Sequence, residues 1–298
     1  MRCPQVNTRQ ILSDGVSAAA VSPGDICLHF CQMNHIHSGD AEIVYQILGS
    51  GPPVVLLHPL TASHEFWLPS AQALTSRYRL ILPDLRGHGE SEIGEGPATM
   101  QKHAADLISI LGDAGIEKAA FVGISLGGYI LFEFWRRSRE RVQALALCNT
   151  KATADTPEAK AERSRAAADV VARGVEPFLQ SMVPRYFGQT TRNTRPDRIE
   201  GGLQIMRKMF PQALAQVQNG MAERPDSVAI LKTINVPTLI VTGDEDVLTG
   251  RPEAELMQRN IPGSAMIVVP KAGHLSPWEQ PEMVGTALRR FLDSVVNL

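Results

Sequence analysis

A serine, a histidine and an acidic turn in this chain have the residue types and spacing of an activated nucleophile. Ser125 lies in GISLGG, directly after the apolar run AAFVGI and before a helix-like segment. A strand that turns sharply into a helix needs small neighbours two positions either side of its turn residue, and it leaves the serine oxygen exposed. The plainer interpretation is a helix N-cap beside turn glycines. Because a serine hydroxyl is a poor nucleophile until a base removes its proton, the chemical interpretation requires a partner histidine.

The histidine best placed to act as that base is His274. It lies in VPKAGHLSPWEQP, just past the last predicted strand and just before the final helix, which puts it at the same sheet edge as Ser125. The remaining candidates are interpreted as structural residues of loops or helices: His58, His64, His88 and His103.

A histidine base needs an acceptor that holds its tautomer and stabilises the imidazolium. The segment LIVTGDEDVLTG ends a predicted strand in an acidic turn, where Asp244, Glu245 and Asp246 compete for that role. Adjacent side chains of an extended turn point apart, so one of the two aspartates should face the site while Glu245 faces solvent. Periodicity alone leaves both aspartates open.

Composition indicates a soluble protein with one substantial core. The chain has 298 residues, of which 44% are apolar and 20% charged. Its 29 basic and 31 acidic residues give a net charge of −2, so the charge balance favours neither nucleic acid nor an anionic membrane as a partner. No apolar run approaches the roughly 20 residues that span a bilayer. Four cysteines make no disulfide framework and predict a reducing, cytoplasmic location, whereas nothing indicates an oligomeric state.

From residue 42 onward, apolar runs of strand length alternate with helical patterns. Such alternation predicts an α/β fold with a mostly parallel central sheet and helices on both faces, whose chemistry collects at the carboxyl ends of the strands. The predicted strands are EIVYQILG, PPVVLLH, YRLILPDL, AAFVGI, VQALALCN, PTLIVTG and AMIVVP. The predicted helices include TMQKHAADLISILGDAGI, LGGYILFEFWRRSRERV and the C-terminal QPEMVGTALRRFLDSVVNL.

One stretch, residues 151–224, interrupts the alternation with helical patterns and no convincing strand. A helical insertion between two strands would lie over their carboxyl ends as a cap, so the α/β core comprises residues 25–150 and 225–298. Residues 1–24 show no periodicity and are predicted to be a poorly ordered extension. The candidates for the substrate-facing wall of the cap are Met182, Tyr186, Phe187 and Met209.

Several motifs together resemble the α/β-hydrolase fold superfamily from about residue 36 to the end. They are HPLTASHEFW, DLRGHGES, GISLGG, GDEDVL and AGHLSPWEQP, with the chain order Ser, Asp, His. The resemblance extends to small cap-bearing esterases and lactonases, including enol-lactone hydrolases and cofactor-free perhydrolases. It implies that Asp246 rather than Asp244 is the triad acid.

The resemblance also implies an oxyanion hole made by two backbone amides. One belongs to Leu126, next to the nucleophile, and the other to Leu60, in the loop after VVLLH. This chain has His58-Pro59 where a His-Gly pair is commoner. The donating amide belongs to the following residue, so the hole survives, but proline restricts the loop.

These features predict a serine-dependent hydrolase of small carboxylic esters or lactones. Ser125 would form an acyl-enzyme that water then clears, with no metal or organic cofactor. Within the superfamily, a serine nucleophile excludes haloalkane dehalogenases and typical epoxide hydrolases. Carbon–carbon bond hydrolases, perhydrolases and non-catalytic small-molecule receptors of the same fold remain alternatives.

The segment CLHFCQMNHIH has the composition of a metal site but not the geometry of one. Its cysteines and histidines all fall on one face of a strand, where neighbours four positions apart are about 13 Å from one another. One ion with bonds near about 2 Å cannot gather them. We predict instead a strand that enters a hairpin turn at HSGD, with His35 and His37 left as a candidate for adventitious metal binding.

Overall fold

A computed structural model of the protein describes residues 33–296. Its centre is an eight-stranded sheet with the strand order β1-β2-β4-β3-β5-β6-β7-β8. The first two pairings, β1 with β2 and β2 with β4, are antiparallel, and all later pairings are parallel. The strands are β1 (Met33–Ser38), β2 (Ala41–Leu48), β3 (Pro53–Leu57), β4 (Arg79–Pro83), β5 (Ala119–Ile124), β6 (Val142–Cys148), β7 (Thr238–Gly243) and β8 (Ala265–Val269).

The buried parallel strands explain why these segments are apolar throughout. Every residue of β5 and of β7 is buried, because helices cover both faces of the sheet. All seven strands predicted from residue 42 onward are confirmed, and the predicted strand before HSGD is β1, which forms a hairpin with β2. The mostly parallel α/β architecture is therefore confirmed.

Helices flank the sheet and supply the connections between its parallel strands. They are α1 (Leu68–Ala71), α2 (Met100–Asp113), α3 (Leu126–Ser138), α4 (Pro157–Arg173), α5 (Val175–Tyr186), α6 (Gln189–Thr194), α7 (Pro196–Met206), α8 (Pro211–Ala222), α9 (Val228–Leu231), α10 (Arg251–Asn260), α11 (Ser276–Glu279) and α12 (Pro281–Val295), with 3-10 turns at His64–Trp67 and Arg139–Arg141. No helix within residues 33–296 is both long and apolar enough to cross a bilayer.

Five consecutive helices, α4 to α8, form the helical insertion between β6 and β7 that the sequence predicts. The first of them begins as its sequence indicates. Thr156 accepts a hydrogen bond from the amide of Ala159 at 3.3 Å, and Pro157 is the first helical residue. Gly174, with φ 80°, ends α4, because a left-handed residue at this point favours glycine. The predictions for residues 1–24, Cys27, His29 and Cys31 lie outside the described residues.

Three buried histidines lie together beside the turn that follows β4. The rings of His58 and His88 meet edge to face at 4.9 Å between centroids. Neither ring nitrogen of His103 has a hydrogen-bond partner among residues 33–296. Burial, with the charge of His88, lowers the pKa of His58 to about 3, and burial lowers the pKa of His88 to about 4 and that of His103 well below its usual range. All three are therefore neutral in the folded protein at neutral pH.

This cluster predicts acid-sensitive stability between about pH 6.5 and pH 4. The histidines of the unfolded chain bind protons near pH 6.5, and those of the folded protein do not. The stability that the neutral histidines contribute is therefore complete above that pH and is lost below it. The free energy of unfolding should fall by up to about 1.4 kcal/mol per histidine per pH unit. When urea unfolding is measured at a series of pH values across this range, the free energy of unfolding should fall less steeply with falling pH in His103→Leu than in wild type.

The control for that measurement is His37→Gln, which removes an exposed histidine and should leave the slope unchanged. His64 acts in the opposite direction. Burial lowers its pKa, but the hydrogen bond and charge of Asp84 raise that pKa overall. A pH dependence in His103→Leu equal to that of wild type would show that His103 binds protons equally in the folded and the unfolded protein.

Candidate active site

Ser125 occupies the sharp turn between β5 and α3. Its backbone has φ 52° and ψ −112°, a conformation that residues other than glycine rarely adopt. The turn is possible because its neighbours lack side chains. A Cβ at Gly123 would lie 2.7 Å from the carbonyl carbon of Gly127, and a Cβ at Gly127 would lie 2.6 Å from the carbonyl oxygen of Leu57. The spacing of the glycines therefore follows from the close approach of α3 to β3 and β5.

A buried histidine connects the serine to a carboxylate. The Nε2 atom of His274 lies 2.9 Å from the Oγ atom of Ser125. Its Nδ1 atom lies 3.1 Å from Oδ2 and 3.2 Å from Oδ1 of Asp246. The ring of Tyr186, from the cap, stacks on the imidazole at 6.1 Å between centroids and 14° between planes. These contacts hold the imidazole between a hydroxyl and a carboxylate, which is the geometry of a nucleophile with its base and orienting acid.

The acidic turn after β7 separates its three side chains. Asp246 is buried against His274, whereas Asp244 is exposed and its Oδ1 atom accepts from the amide of Ala272 at 3.3 Å. The expectation that Glu245 faces solvent is wrong. Its carboxylate accepts from the amide of Thr190 at 2.7 Å and also from the Thr190 hydroxyl, so it joins this turn to the cap.

The Asp246 carboxylate is held ionised by several donors. It accepts from the amides of Leu248 and Thr249 at 2.8 and 3.1 Å, and from the Thr249 hydroxyl at 2.9 Å. Burial alone would raise the pKa of Asp246. The charge and hydrogen bond of His274, with the other donors, instead hold that pKa well below its usual range.

Asn149 is a site residue that sequence reasoning missed. It follows β6 with φ 40°, and its Nδ2 atom donates to Oδ2 of Asp246 at 2.9 Å and to the carbonyl of Gly273 at 3.1 Å. Its Oδ1 atom accepts from the Ser276 hydroxyl at 2.5 Å. Asn149 therefore ties the acid to the histidine loop. The available signal was a polar amide directly after a buried strand, at the sheet edge that carries the other site residues.

The two residues whose amides the resemblance assigns to an oxyanion hole are Leu126, next to the nucleophile in the chain, and Leu60, which lines the same cavity. Leu126 is the first residue of α3, where helix amides have no partner within the helix. Leu60 lines the same cavity as Ser125, in the loop after β3. That loop is held by His58, whose Nε2 accepts from the amide of Leu85 at 2.9 Å while its Nδ1 lies 2.8 Å from the carbonyl of Pro59. The structural interpretation of His58 is confirmed.

A cavity of about 340 Å³ opens over Ser125, Leu60 and His274. Two of the four predicted wall residues, Met182 and Tyr186, line it. The other two lie elsewhere among the described residues. The Phe187 side chain is buried beside Gly202, where a Cβ on that glycine would lie 3.0 Å from its ring, and Met209 is buried in the core. The cap turns Phe187 away from the cavity because α5 ends at Tyr186 and the next residue is extended.

His35, one of the two histidines left open for adventitious metal, contacts a carboxylate across the β1–β2 hairpin. Its Nδ1 atom lies 3.0 Å from Oε1 of Glu42. Within residues 33–296, no three side chains of His, Cys, Asp or Glu are grouped so as to hold a metal ion.

Comparison with known proteins places this chain in a family. The sequence profile of the alpha/beta hydrolase fold family matches residues 52–281. The chain is 30% identical over 246 residues to 3-oxoadipate enol-lactonase 1 of Acinetobacter baylyi, covering 83% of this chain and 90% of that protein. The chain therefore belongs to the alpha/beta hydrolase fold family, as the sequence motifs predict.

Solved structures agree with that assignment. A thermophilic esterase from Thermogutta terrifontis is similar with a TM-score of 0.87 and 38% identity, covering 89% of this chain and 100% of that one. The enol-lactonase from Burkholderia xenovorans LB400 is similar with a TM-score of 0.81 and 24% identity, covering 87% of this chain and 100% of that one. The second likeness shows the fold alone.

Proposed function

We propose that this protein hydrolyses small carboxylic esters or lactones through an acyl-enzyme on Ser125. The observation that carries the proposal is the 2.9 Å approach of the His274 Nε2 atom to the Ser125 Oγ atom, at the floor of a cavity that a small ester fits. Similarity to an esterase and to an enol-lactonase supports the same class of reaction.

In the first half of the reaction, His274 takes the proton of Ser125 as the Oγ atom attacks the ester carbonyl. The negative charge that develops on the carbonyl oxygen is stabilised by the amides of Leu60 and Leu126. Asp246 stabilises the imidazolium and keeps the tautomer in which Nε2 is the base. When the tetrahedral intermediate collapses, His274 returns the proton to the departing alkoxide, and the acyl group remains on Ser125.

In the second half, water replaces the alcohol. His274 removes a proton from the water, which attacks the acyl carbonyl through a second tetrahedral intermediate. Collapse returns the proton to the Ser125 Oγ atom and releases the carboxylic acid. This chain's residues hold every proton that moves, so the proposed cycle needs no cofactor. A lactone follows the same steps and yields a hydroxy acid.

The test is turnover of a panel of p-nitrophenyl esters with acyl chains of two to ten carbons. We expect rapid hydrolysis of the shorter chains, with a burst of p-nitrophenol when deacylation limits the rate. Saturable binding of these esters without turnover would instead indicate a receptor built on this fold.

Selectivity for acyl length should depend on Met182 rather than on Phe187. Met182→Ala shortens a side chain of the cavity wall and so enlarges the cavity. Each additional methylene of the substrate that the cavity accommodates is worth about 1–3 kcal/mol, so the ratio of kcat/KM for long to short acyl chains should rise tens-fold. The measurement is kcat/KM across the ester panel for both variants.

The matched variant, Phe187→Ala, should leave the acyl profile parallel to that of wild type. It should instead destabilise the fold by about 3–5 kcal/mol, because it empties a buried site. A profile that moved with Phe187→Ala and not with Met182→Ala would place the acyl wall in another part of the cap.

A further inference from the structure

A cluster of cations shares one buried carboxylate beside the cavity. Asp155, whose side chain is 2% exposed, accepts from Arg224 through both oxygens, at 2.6 Å to Oδ2 and 2.8 Å to Oδ1. Its Oδ2 atom also accepts from the Nε atom of Arg163 at 2.5 Å. Two arginines therefore already occupy the Asp155 carboxylate.

Lys151 is a third cation at this carboxylate and is the most loosely held of the three. Its Nζ atom lies 3.5 Å from Oδ1 of Asp155, beyond the distance of a strong hydrogen bond. Among residues 33–296, this is the one ionic contact of the Lys151 ammonium, and no hydrogen bond accompanies it. Its side chain is 21% exposed, so the ammonium is partly removed from bulk water. It therefore has donors available for another acceptor.

The two arginines of the cluster are fixed more firmly. The Arg224 guanidinium stacks on the ring of Tyr129 at 4.1 Å and also donates to the carbonyls of Thr153 and Met221 at 3.1 Å. The Nη1 atom of Arg163 donates to Oε1 of Gln218 at 2.9 Å. Reorienting either arginine would break several contacts, whereas reorienting Lys151 would break none of comparable strength.

Cations outnumber carboxylates around Lys151. At the cavity mouth, Asp169 pairs with Arg173, and Glu162 lies 3.7 Å from Arg185, so the charges balance there. Deeper, three cations, Lys151, Arg163 and Arg224, share the Asp155 carboxylate, and Glu253 is the second carboxylate that acts on Arg224. In the adjacent pocket, Glu133 is paired with Arg136. A surplus of positive charge in a partly enclosed cavity attracts an anionic group.

The position of Lys151 connects this surplus to the proposed chemistry. Lys151 follows β6 at the active edge of the sheet, and the hydroxyl of its neighbour Thr150 donates to the carbonyl of Ser125 at 2.8 Å. Lys151 lines the same cavity as Ser125 and His274. A molecule whose ester group reaches Ser125 therefore shares that cavity with the lysine.

We infer that Lys151 is a specificity-determining residue that binds a carboxylate carried by the substrate away from the scissile ester. The substrate class is then an acidic ester, such as the half-ester of a dicarboxylic acid or an ester whose alcohol bears a carboxylate. This inference rests on the proposed ester hydrolysis at Ser125. It names the class of molecule that the cavity prefers.

The experiment compares esters that differ by one carboxylate. On the acyl side the pair is p-nitrophenyl hydrogen adipate and p-nitrophenyl hexanoate, and on the alcohol side it is 4-acetoxybenzoate and phenyl acetate. For each pair, the ratio of kcat/KM for the acidic ester to that for the neutral ester is measured in wild type and Lys151→Met. In at least one pair, wild type should favour the acidic ester, and Lys151→Met should lower the ratio about ten- to a hundredfold.

Two variants and a salt titration separate recognition from a general effect of charge. Lys151→Arg keeps the charge and should recover part of the ratio, whereas Lys232→Met, which removes an exposed cation outside the cavity, should leave it unchanged. Raising the ionic strength should lower the wild-type ratio and have little effect in Lys151→Met. Ratios in both pairs that Lys151→Met leaves unaltered, or that Lys232→Met lowers equally, would overturn the inference.

A binding measurement distinguishes failure of this inference from failure of the proposed function. Adipate binding to Ser125→Ala, measured by calorimetry, requires no turnover. Its Kd should rise about tenfold or more when Lys151→Met is added to that variant. Absence of ester hydrolysis by wild type, together with Lys151-dependent adipate binding, would overturn only the proposed hydrolase function. Hydrolysis of neutral esters together with Lys151-independent adipate binding would overturn the carboxylate site alone.

Discussion

Ser125→Ala should lower kcat for every ester by at least about 10⁴-fold while leaving the fold intact. Removal of the Oγ atom leaves His274 with no hydroxyl to activate, so no acyl-enzyme can form. The change removes one oxygen at a partly exposed turn, and alanine retains the Cβ that the strained backbone already tolerates. The measurements are kcat across the ester panel and the melting temperature.

Covalent labelling supplies the control for this result. Diethyl p-nitrophenyl phosphate should add one diethylphosphoryl group to wild type, detected by mass spectrometry at Ser125, and none to Ser125→Ala. Ser294→Ala, at an exposed serine of the last helix, should resemble wild type in both labelling and turnover. Turnover in Ser125→Ala above a trace would show that another group attacks the ester.

Asp246→Asn should lower kcat by a factor on the order of 10⁴, the effect of tautomer loss in a serine protease. An amide in place of the carboxylate can donate toward the His274 Nδ1 atom. That would favour the tautomer with its proton on Nε2, which cannot accept the proton of Ser125. The carboxylate also carries the charge that stabilises the imidazolium, and its distances of 3.1 and 3.2 Å to Nδ1 place it for both tasks.

The matched variant is Asp244→Asn, two residues earlier in the same turn. Its carboxylate is exposed and accepts one hydrogen bond, from the amide of Ala272, so its loss should change kcat by less than about tenfold. Measurement of kcat and KM for both variants with one good ester decides between them. A larger loss in Asp244→Asn would move the acid to that residue and contradict the geometry of the turn.

Local sequence determined the secondary structure and the order of the chemical groups. Continuous apolar runs predicted the buried strands, because a strand covered on both faces has no polar side to show. The glycines around Ser125 identified the turn, because their absent side chains are what let α3 approach β3 and β5. His274 was chosen by position alone, since each strand of a parallel sheet ends at the same edge.

Only the tertiary structure decided which side chains share the site with these groups. Asp244 and Asp246 are equivalent by period, and the family resemblance implied Asp246. The structure supplies the physical difference, because Asp246 is buried against His274 and Asp244 is exposed. Asn149 reaches Asp246 from another strand, and Glu245 binds the cap, through contacts that depend on how separate elements pack. In the cap, the sequence predicted Met182 and Phe187 as apolar wall residues, and the structure half-buries Met182 at the cavity and fully buries Phe187. Whether a buried side chain faces a cavity or a neighbouring helix depends on the helix ends and the packing between helices, which no local pattern encodes.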